Sequence, residues 1–150
     1  MNTFSVPYYI YQDFVECGTL RDFLLRNYPS SGYAQLENFD HGSRSNSLQD
    51  LARFSFEIAG GMTFLIEKGF CHPVLSAQKI LIDATGRCKL YDFWPEESAK
   101  LRLNKVFNKV NFSYAWLAPE SIFFRQYSTE SDVWSFAVVL WEIYSLGEYH

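Results

Sequence analysis

The strongest hydrophobic pattern in the chain lies between residues 47 and 69. Apolar side chains recur there at steps of three and four, and a single serine interrupts them. The stripe consists of Leu48, Leu51, Ser55, Ile58, Met62 and Leu65. This spacing places the stripe on one face of a helix, which can bury it against a core. Ser47 and Asp50 supply a capping pair at the start, so we predict one long amphipathic helix over 47–69.

Before this helix, the pattern predicts a strand, a short helix and a polar loop. Residues 7–15 are rich in aromatic and β-branched side chains, which favour a strand. Thr19, followed by Asp22, forms a capping signature for a short helix that ends near residue 28. Residues 29–46 consist largely of turn-forming polar residues, and we interpret them as a loop.

After the long helix, the elements become short. Two strands are predicted over 80–83 and 88–91, joined by a turn. Residues 92–117 show no regular pattern, and we interpret the basic stretch over 100–109 as a solvated loop face. Pro119 is typical of the first turn of a helix, here a short one.

The last predicted helix covers residues 132–145 and is apolar nearly all round. Thr129 with Asp132 forms its capping signature. Such a helix belongs at the centre of a domain, because it has no face suited to water. The order of the elements favours an α+β fold that is mainly α, and it argues against a parallel βαβ sheet.

Composition narrows the class of protein without identifying it. The 150 residues are 48% hydrophobic and 19% aromatic, which fits one domain with a large core and excludes a disordered chain. The net charge of −4 argues against a broad nucleic-acid-binding surface, so no nucleic-acid partner is predicted. No apolar run approaches the roughly 18 residues of a membrane span, so no span is predicted within this chain.

Four segments resemble motifs of the protein kinase superfamily, in the order in which that family has them. They are 72–82 (the catalytic loop), 89–93 (the strand that enters Asp-Phe-Gly), 116–120 (the Ala-Pro-Glu end of the activation segment) and 132–143 (the central helix). Trp116 before Ala-Pro-Glu is typical of tyrosine kinases. The resemblance implies a protein-kinase-like fold, consisting of the hinge and a partial C-lobe, with the N-lobe and the last C-lobe helices missing.

The resemblance also implies boundaries for a partial protein kinase domain over 1–150. These are the fifth strand and hinge (7–17), a polar insert (29–46), the long helix (47–69), the catalytic-like loop (72–79), the activation-like segment (92–120) and the central helix (131–146). In the hinge, Gln12 would be the gatekeeper, and Asp13, Phe14 and Val15 would meet adenine. Residues that match structural positions of the family are Ala118, Pro119, Glu120, Asp132 and Trp134.

The catalytic-like loop departs from the family at the positions that carry chemistry. His72 matches the family, but Pro73 stands where it has an arginine and Val74 where it has the catalytic aspartate. Valine can neither orient a hydroxyl group nor accept its proton, and a general base contributes about 10²–10⁴ in rate. We therefore predict that this loop is degenerate.

The metal positions are altered in part. Asp92 and Phe93 match the Asp-Phe of the family, so Asp92 is the predicted metal ligand, but Trp94 replaces the glycine that follows them. Lys79 replaces the asparagine that holds the second magnesium ion. Its ammonium group could take the place of that ion and pair with Asp92, or it could swing to solvent, and the sequence leaves both open.

The activation-like segment lacks a target for phosphorylation in its middle. Residues 99–112 contain no Ser, Thr or Tyr. In the family, the arginine now replaced by Pro73 pairs with a phosphorylated residue of this segment. Both halves of that switch are missing here.

These features favour a catalytically impaired, pseudokinase-type fragment of a tyrosine-kinase-like domain, acting as a binding or regulatory module in phosphotyrosine signalling. Two alternatives stay open. One is an active tyrosine kinase that transfers phosphate from ATP with an atypical catalytic loop. The other is an incomplete gene product without independent function.

The resemblance implies ATP and magnesium as cofactors, although the substitutions weaken the case for both. We expect protein partners, bound through the exposed C-lobe surface or through Tyr33 in the polar insert. The expected location is the cytoplasm, or the cytoplasmic part of a membrane receptor if the parent protein is longer.

Overall fold

The computed structural model describes residues 11, 15, 18–28, 41–107 and 114–147. The strand predicted over 7–15 falls almost entirely outside these residues, as does most of the polar insert. Where the chain is described, helices dominate and strands are short, which confirms the α+β, mainly α fold.

Five helices and four strands follow one another along the described residues. The helices are α1 (Leu20–Asn27), α2 (His41–Glu67), α3 (Ala99–Phe107), α4 (Pro119–Phe124) and α5 (Thr129–Tyr144). The strands are β1 (Phe70–Cys71), β2 (Ile80–Ile82), β3 (Cys88–Leu90) and β4 (Trp94–Pro95). They form two separate antiparallel pairs, β1 with β4 and β2 with β3. Short 3₁₀ turns cover Ala77–Lys79, Glu96–Ser98 and Tyr114–Trp116.

The main core lies between α1, α2 and α5 and continues into the loop and strands that follow α2. Its buried side chains are Leu20, Leu24, Leu51, Phe54, Ile58, Met62, Leu75, Ala77, Ile80, Ile82, Val139, Ile143 and Leu146. The stripe predicted on α2 supplies its centre. The prediction was wrong for one residue of the stripe: Leu48 is 62% exposed, and the fully buried Phe54 belongs to the core instead.

The long helix begins earlier than predicted. Helix α2 starts at His41 instead of residue 47, and it ends at Glu67 instead of residue 69. The added residues are mainly Ser, Asn and Gly, which have low helix propensity. A helix that is already nucleated adds such residues at a cost of at most about 1 kcal/mol each, so a packed helix can extend through them.

The central helix differs from its prediction at the start and on one face. Helix α5 begins at Thr129, three residues before the predicted start, and its N-cap is Ser128 rather than Thr129. The backbone N–H of Ser128 donates to the hydroxyl oxygen of Ser131 at 3.3 Å. The helix is not buried all round, since Trp134 and Trp141 are 45% and 53% exposed.

The segment interpreted as irregular contains a regular helix. Helix α3 covers nine residues of it, with Ala99 and Leu103 buried and Lys100 exposed. The prediction of a solvated loop was wrong: Ala99, Leu103 and Phe107 recur every four residues, a stripe of only two turns among the cations of this stretch. At the two other short helices, the predictions are confirmed. Thr19 accepts a hydrogen bond from the N–H of Asp22 at the start of α1, and Pro119 begins α4.

Candidate functional site

The catalytic-like loop follows β1, and two carboxylates of α5 bind its backbone. The backbone N–H of His72 donates to Oδ2 of Asp132 at 2.8 Å. The backbone N–H of Ala77 donates to Oε2 of Glu142, also at 2.8 Å. Both carboxylates are buried, so the loop backbone is bound at two points by charge-assisted hydrogen bonds.

Asp132 is placed where the resemblance expects a residue that binds the loop backbone. Its second oxygen, Oδ1, accepts a hydrogen bond from the hydroxyl group of Tyr127 at 2.6 Å. Burial raises the pKa of Asp132 to about 6, although both hydrogen bonds act in the opposite direction. With both oxygens engaged inside the protein, Asp132 holds the loop and has no open contact for a substrate.

Glu142 is a functional residue that the sequence reasoning missed. Oε2 also accepts a hydrogen bond from the indole N–H of Trp116 at 2.9 Å, so one carboxylate joins the catalytic-like loop to the end of the activation-like segment. A signal was available, because an acid inside an otherwise apolar helix must find partners when it is buried.

His72 is packed too deeply to take part in proton transfer. The side chain is fully buried, and Nε2 lies 2.7 Å from the carbonyl oxygen of Tyr91, which requires the proton on Nε2. Burial, with the nearby charge of Lys79, lowers the pKa of His72 to about 4. The ring is therefore neutral and structural at neutral pH.

Asp92 lies at the centre of a cluster of cations. Its backbone is left-handed, with φ of 62°. Oδ2 is 2.7 Å from Nζ of Lys79 and also accepts a hydrogen bond from the guanidinium group of Arg102. Oδ1 accepts from the indole N–H of Trp94 at 3.1 Å. The structure therefore has the direct Lys79–Asp92 pair rather than the alternative in which Lys79 swings to solvent.

The charges around Asp92 set its protonation state. Burial acts to raise the pKa of Asp92, but the hydrogen bond and charge of Lys79 and the charge of Arg102 outweigh it and hold the pKa below its ordinary value. Asp92 is therefore ionised at neutral pH, and its charge is already matched by two cations.

These residues do not fit a magnesium ion. Magnesium takes oxygen ligands in near-octahedral geometry, and both oxygens of Asp92 are occupied by N–H donors. Lys79 contributes a positive charge where the family has an amide oxygen. Across the described part of the chain, no three His, Cys, Asp or Glu side chains come together in a way that could hold a metal.

Val74, which the resemblance aligns with the family's catalytic aspartate, has apolar surroundings. The side chain is 4% exposed and is buried with Leu103 of α3 and with Leu117. Its φ of 72° is unusual for a β-branched residue. Pro73 beside it is also buried. The position offers no group that could accept a proton.

The remaining predicted site residues lie apart from this cluster or cannot be placed. Gln12, Asp13 and Phe14 of the hinge lie outside the described residues, whereas Val15 is described and half-buried. The ring of Phe93 packs edge-on against Phe70, with 5.5 Å between the ring centroids.

The Ala-Pro-Glu segment begins α4 and contacts α5. Ala118 is buried and precedes Pro119, and a carboxylate oxygen of Glu120 accepts a hydrogen bond from the hydroxyl group of Ser131 at 2.7 Å. Trp134 donates its indole N–H to the carbonyl oxygen of Ala115 at 3.2 Å. These residues fasten the end of the activation-like segment to the central helix.

One face of α5 is apolar and open. Trp134, Ala137, Val138 and Trp141 line a shallow groove of about 300 Å³ on it. Tyr33, the other predicted partner contact, lies outside the described residues. No helix among the described residues has both the length and the apolar character needed to cross a membrane.

Comparison with known proteins gives one family and a set of receptor relatives. The protein tyrosine and serine/threonine kinase family matches residues 2–150. The chain is 39% identical to mast/stem cell growth factor receptor Kit of Takifugu rubripes over 115 residues, which are 76% of the chain and 12% of that protein.

Two further relatives give similar figures. Fibroblast growth factor receptor 2 of Dugesia japonica is 32% identical over 140 residues, covering 93% of the chain and 16% of that protein. Platelet-derived growth factor receptor alpha of Gallus gallus is 41% identical over 109 residues, covering 72% of the chain and 10% of that protein. The chain thus spans between about a tenth and a sixth of the length of these curated relatives.

Proposed function

Because the chain belongs to the protein tyrosine and serine/threonine kinase family, we propose that it is a tyrosine-kinase-like domain that no longer transfers phosphate. In this proposal it acts as a binding or regulatory module of the pseudokinase type. The observation that carries the proposal is the ion cluster at Asp92, in which Lys79 and Arg102 stand where a magnesium ion would have to bind.

Two separate deficits support this proposal. Phosphoryl transfer depends on positioning the phosphate and on neutralising its charge with metal ions. Asp92 is here engaged by protein cations, and Val74 cannot replace a general base worth about 10²–10⁴ in rate. The two losses affect different steps, so repairing one of them leaves the other in place.

A domain without transfer activity acts through what it binds. The three relatives are named as growth factor receptors, and we propose that this chain is part of the cytoplasmic region of a receptor-type protein in phosphotyrosine signalling. The open apolar face of α5 supports a role in protein contacts, because apolar patches of this kind mark interaction sites.

The test is a phosphoryl-transfer assay on the longest native protein that carries this chain. Labelled ATP and a tyrosine-containing copolymer serve as donor and acceptor, and the wild type is compared with Asp92→Asn. We expect no transfer above the Asp92→Asn background. Transfer by the wild type that Asp92→Asn abolishes would show an active kinase with an atypical loop.

A repaired variant shows where the deficit lies. Val74→Asp and Lys79→Asn restore the two family residues, and Arg102→Gln removes the second cation from Asp92, so we expect the triple variant to gain measurable transfer. Nucleotide binding is measured in parallel with and without magnesium. Binding by the wild type that depends strongly on magnesium would contradict the assignment of the Asp92 site as metal-free.

A further inference from the structure

Helix α3 lies against the degenerate site and contacts it at two neighbouring residues. Arg102 donates to Oδ2 of Asp92, the oxygen that also meets Lys79. Its guanidinium carbon lies 5.2 Å from the ring centroid of Trp94, and its side chain is only 15% exposed. The helix therefore places a cation where the family has a metal ion, and Trp94, which replaces the family's glycine, stacks on it.

The next residue of the helix closes the other side of the site. Leu103 is 1% exposed and is buried with Val74 and Leu117, with Phe107 and Trp116 packed against them. A carboxylate at position 74 would face this apolar cluster without a partner, which is costly. Val74 therefore suits the position in which α3 packs against the site, whereas the family's aspartate would be buried there without a partner.

The backbone at Val74 shows what the valine contributes. With φ of 72°, this position would accept glycine, asparagine or aspartate more readily than a β-branched residue. The valine is unfavourable for the backbone conformation, so its apolar contact with Leu103 is what it adds. Val74 and Trp94, which differ from the family, therefore both pack against α3, while Lys79 shares Asp92 with Arg102.

Phosphorylation has no target within α3. Residues 99–107 contain no hydroxyl-bearing side chain, and the neighbouring Pro73 is buried and uncharged. At the degenerate site, the helix is held instead by the ion pair of Arg102 and the apolar contact of Leu103. The two contacts are made by adjacent residues of one helix, so a movement of the helix away from the site breaks both.

We propose that α3 is an internal latch on the degenerate site: Arg102 takes the cation position on Asp92, Leu103 covers Val74, and the two contacts open together. The latch closes the site from within the chain. This proposal goes beyond the function proposed above, since it concerns what occupies the site, and it does not depend on whether the native protein transfers phosphate.

The first test is hydrogen exchange of the chain, read by mass spectrometry. Arg102→Gln removes a charge-assisted hydrogen bond, and we expect amide exchange in α3 to become about tenfold faster while α5 keeps its protection. Lys105→Gln is the matched control, because Lys105 also lies over the Trp94 ring, at 5.9 Å, but has no ion pair with Asp92. We expect it to change α3 exchange by less than about twofold.

Unchanged exchange in Arg102→Gln, or equal effects of the two variants, would overturn the latch. Unchanged protection of α5 shows that each variant is folded.

The second test asks whether the helix and the site open together. Leu103→Ala leaves Arg102 in place, so coupling predicts a several-fold rise in the labelling of Lys79 by an amine-reactive reagent. Lys89 is the internal control, because its side chain is already 55% exposed, against 20% for Lys79. Faster exchange in α3 without greater labelling of Lys79 would show that helix and site move independently, and the proposal would fail.

Discussion

The two sides of the catalytic-like loop have different kinds of contact. On the inner side, Asp132 and Glu142 bind backbone N–H groups, and both carboxylates are buried. On the outer side, Asp92 is bound by side chains, among them Lys79 and Arg102. The inner contacts hold the loop backbone, whereas the outer contacts involve side chains that, by the resemblance, depart from the family's motifs.

The difference separates the contacts that hold the loop backbone from those that its side chains make. A hydrogen bond to a backbone N–H group does not depend on which side chain that residue carries. Val74 and Lys79 could therefore replace the family's aspartate and asparagine without disturbing the inner contacts at His72 and Ala77. The conformation of the loop is thus held by contacts that do not involve the side chains of Val74 and Lys79.

The largest effect is expected from removing the inner carboxylate that binds two donors. Glu142→Ala leaves the N–H groups of Ala77 and Trp116 without their acceptor, and we expect the free energy of unfolding to fall by about 3 kcal/mol. Urea denaturation measures the loss. On the outer side, Lys79→Met leaves Asp92 paired with Arg102, and we expect a loss below about 1 kcal/mol.

Glu142→Gln is the control for the inner side, since its amide oxygen can still accept a hydrogen bond. We expect its loss to fall between those of the other two variants. Equal losses for Lys79→Met and Glu142→Ala would break the comparison, because the outer cluster would then support the fold as strongly as the inner one.

An effect of intermediate size is expected from pH, which changes the free energy of unfolding through His72 and Asp132 on the inner side of the loop. The pKa of His72 is about 4 in the folded protein and 6.5 in the unfolded chain. The unfolded chain therefore binds more protons in this interval, and the free energy of unfolding rises as pH rises from about 4 to 6.5. The pKa of Asp132 is raised from 3.8 to about 6, so the folded protein binds more protons than the unfolded chain in that interval. Asp132 therefore lowers the free energy of unfolding as pH rises from 3.8 to about 6. The two slopes oppose each other, and we expect the free energy of unfolding to be nearly flat between pH 4 and 6.

Removing the Asp132 carboxylate leaves the pH dependence that His72 alone produces. Asp132→Asn abolishes the falling contribution, so the stability of the variant is expected to rise by about 1.4 kcal/mol per pH unit between pH 4 and 6. Urea midpoints at several pH values measure the slope, which does not depend on the overall destabilisation of the variant. A flat profile in Asp132→Asn would show that the burial of His72 is not the source of the rising slope.

Local patterns predicted the elements that local interactions determine. The apolar spacing of α2, the Thr19 cap of α1 and Pro119 at the start of α4 each act within a few residues. The Lys79–Asp92 pair was one of two alternatives, because the resemblance brings together residues that lie 13 positions apart.

Long-range contacts account for what the sequence did not reveal. The residues of helix α3 have high helix propensity, but its buried contacts are made with Val74, Asp92 and Leu117, which no pattern within the helix shows. The role of Glu142 depends on donors 65 and 26 residues away, and no local pattern shows them.

The smallest effect is expected at Val74, where backbone conformation and packing oppose each other. Val74→Ala loses buried apolar surface, but it also removes a β-branched side chain from a left-handed backbone at φ of 72°. We expect a net loss of about 1 kcal/mol. Val139→Ala is the control, since Val139 is fully buried on a regular helix, and we expect it to lose about 2 kcal/mol after the gain in helix propensity. Equal losses in urea denaturation would mean that Val74 is relaxed, and the outer side of the loop would then hold no strain for its apolar contact with α3 to offset.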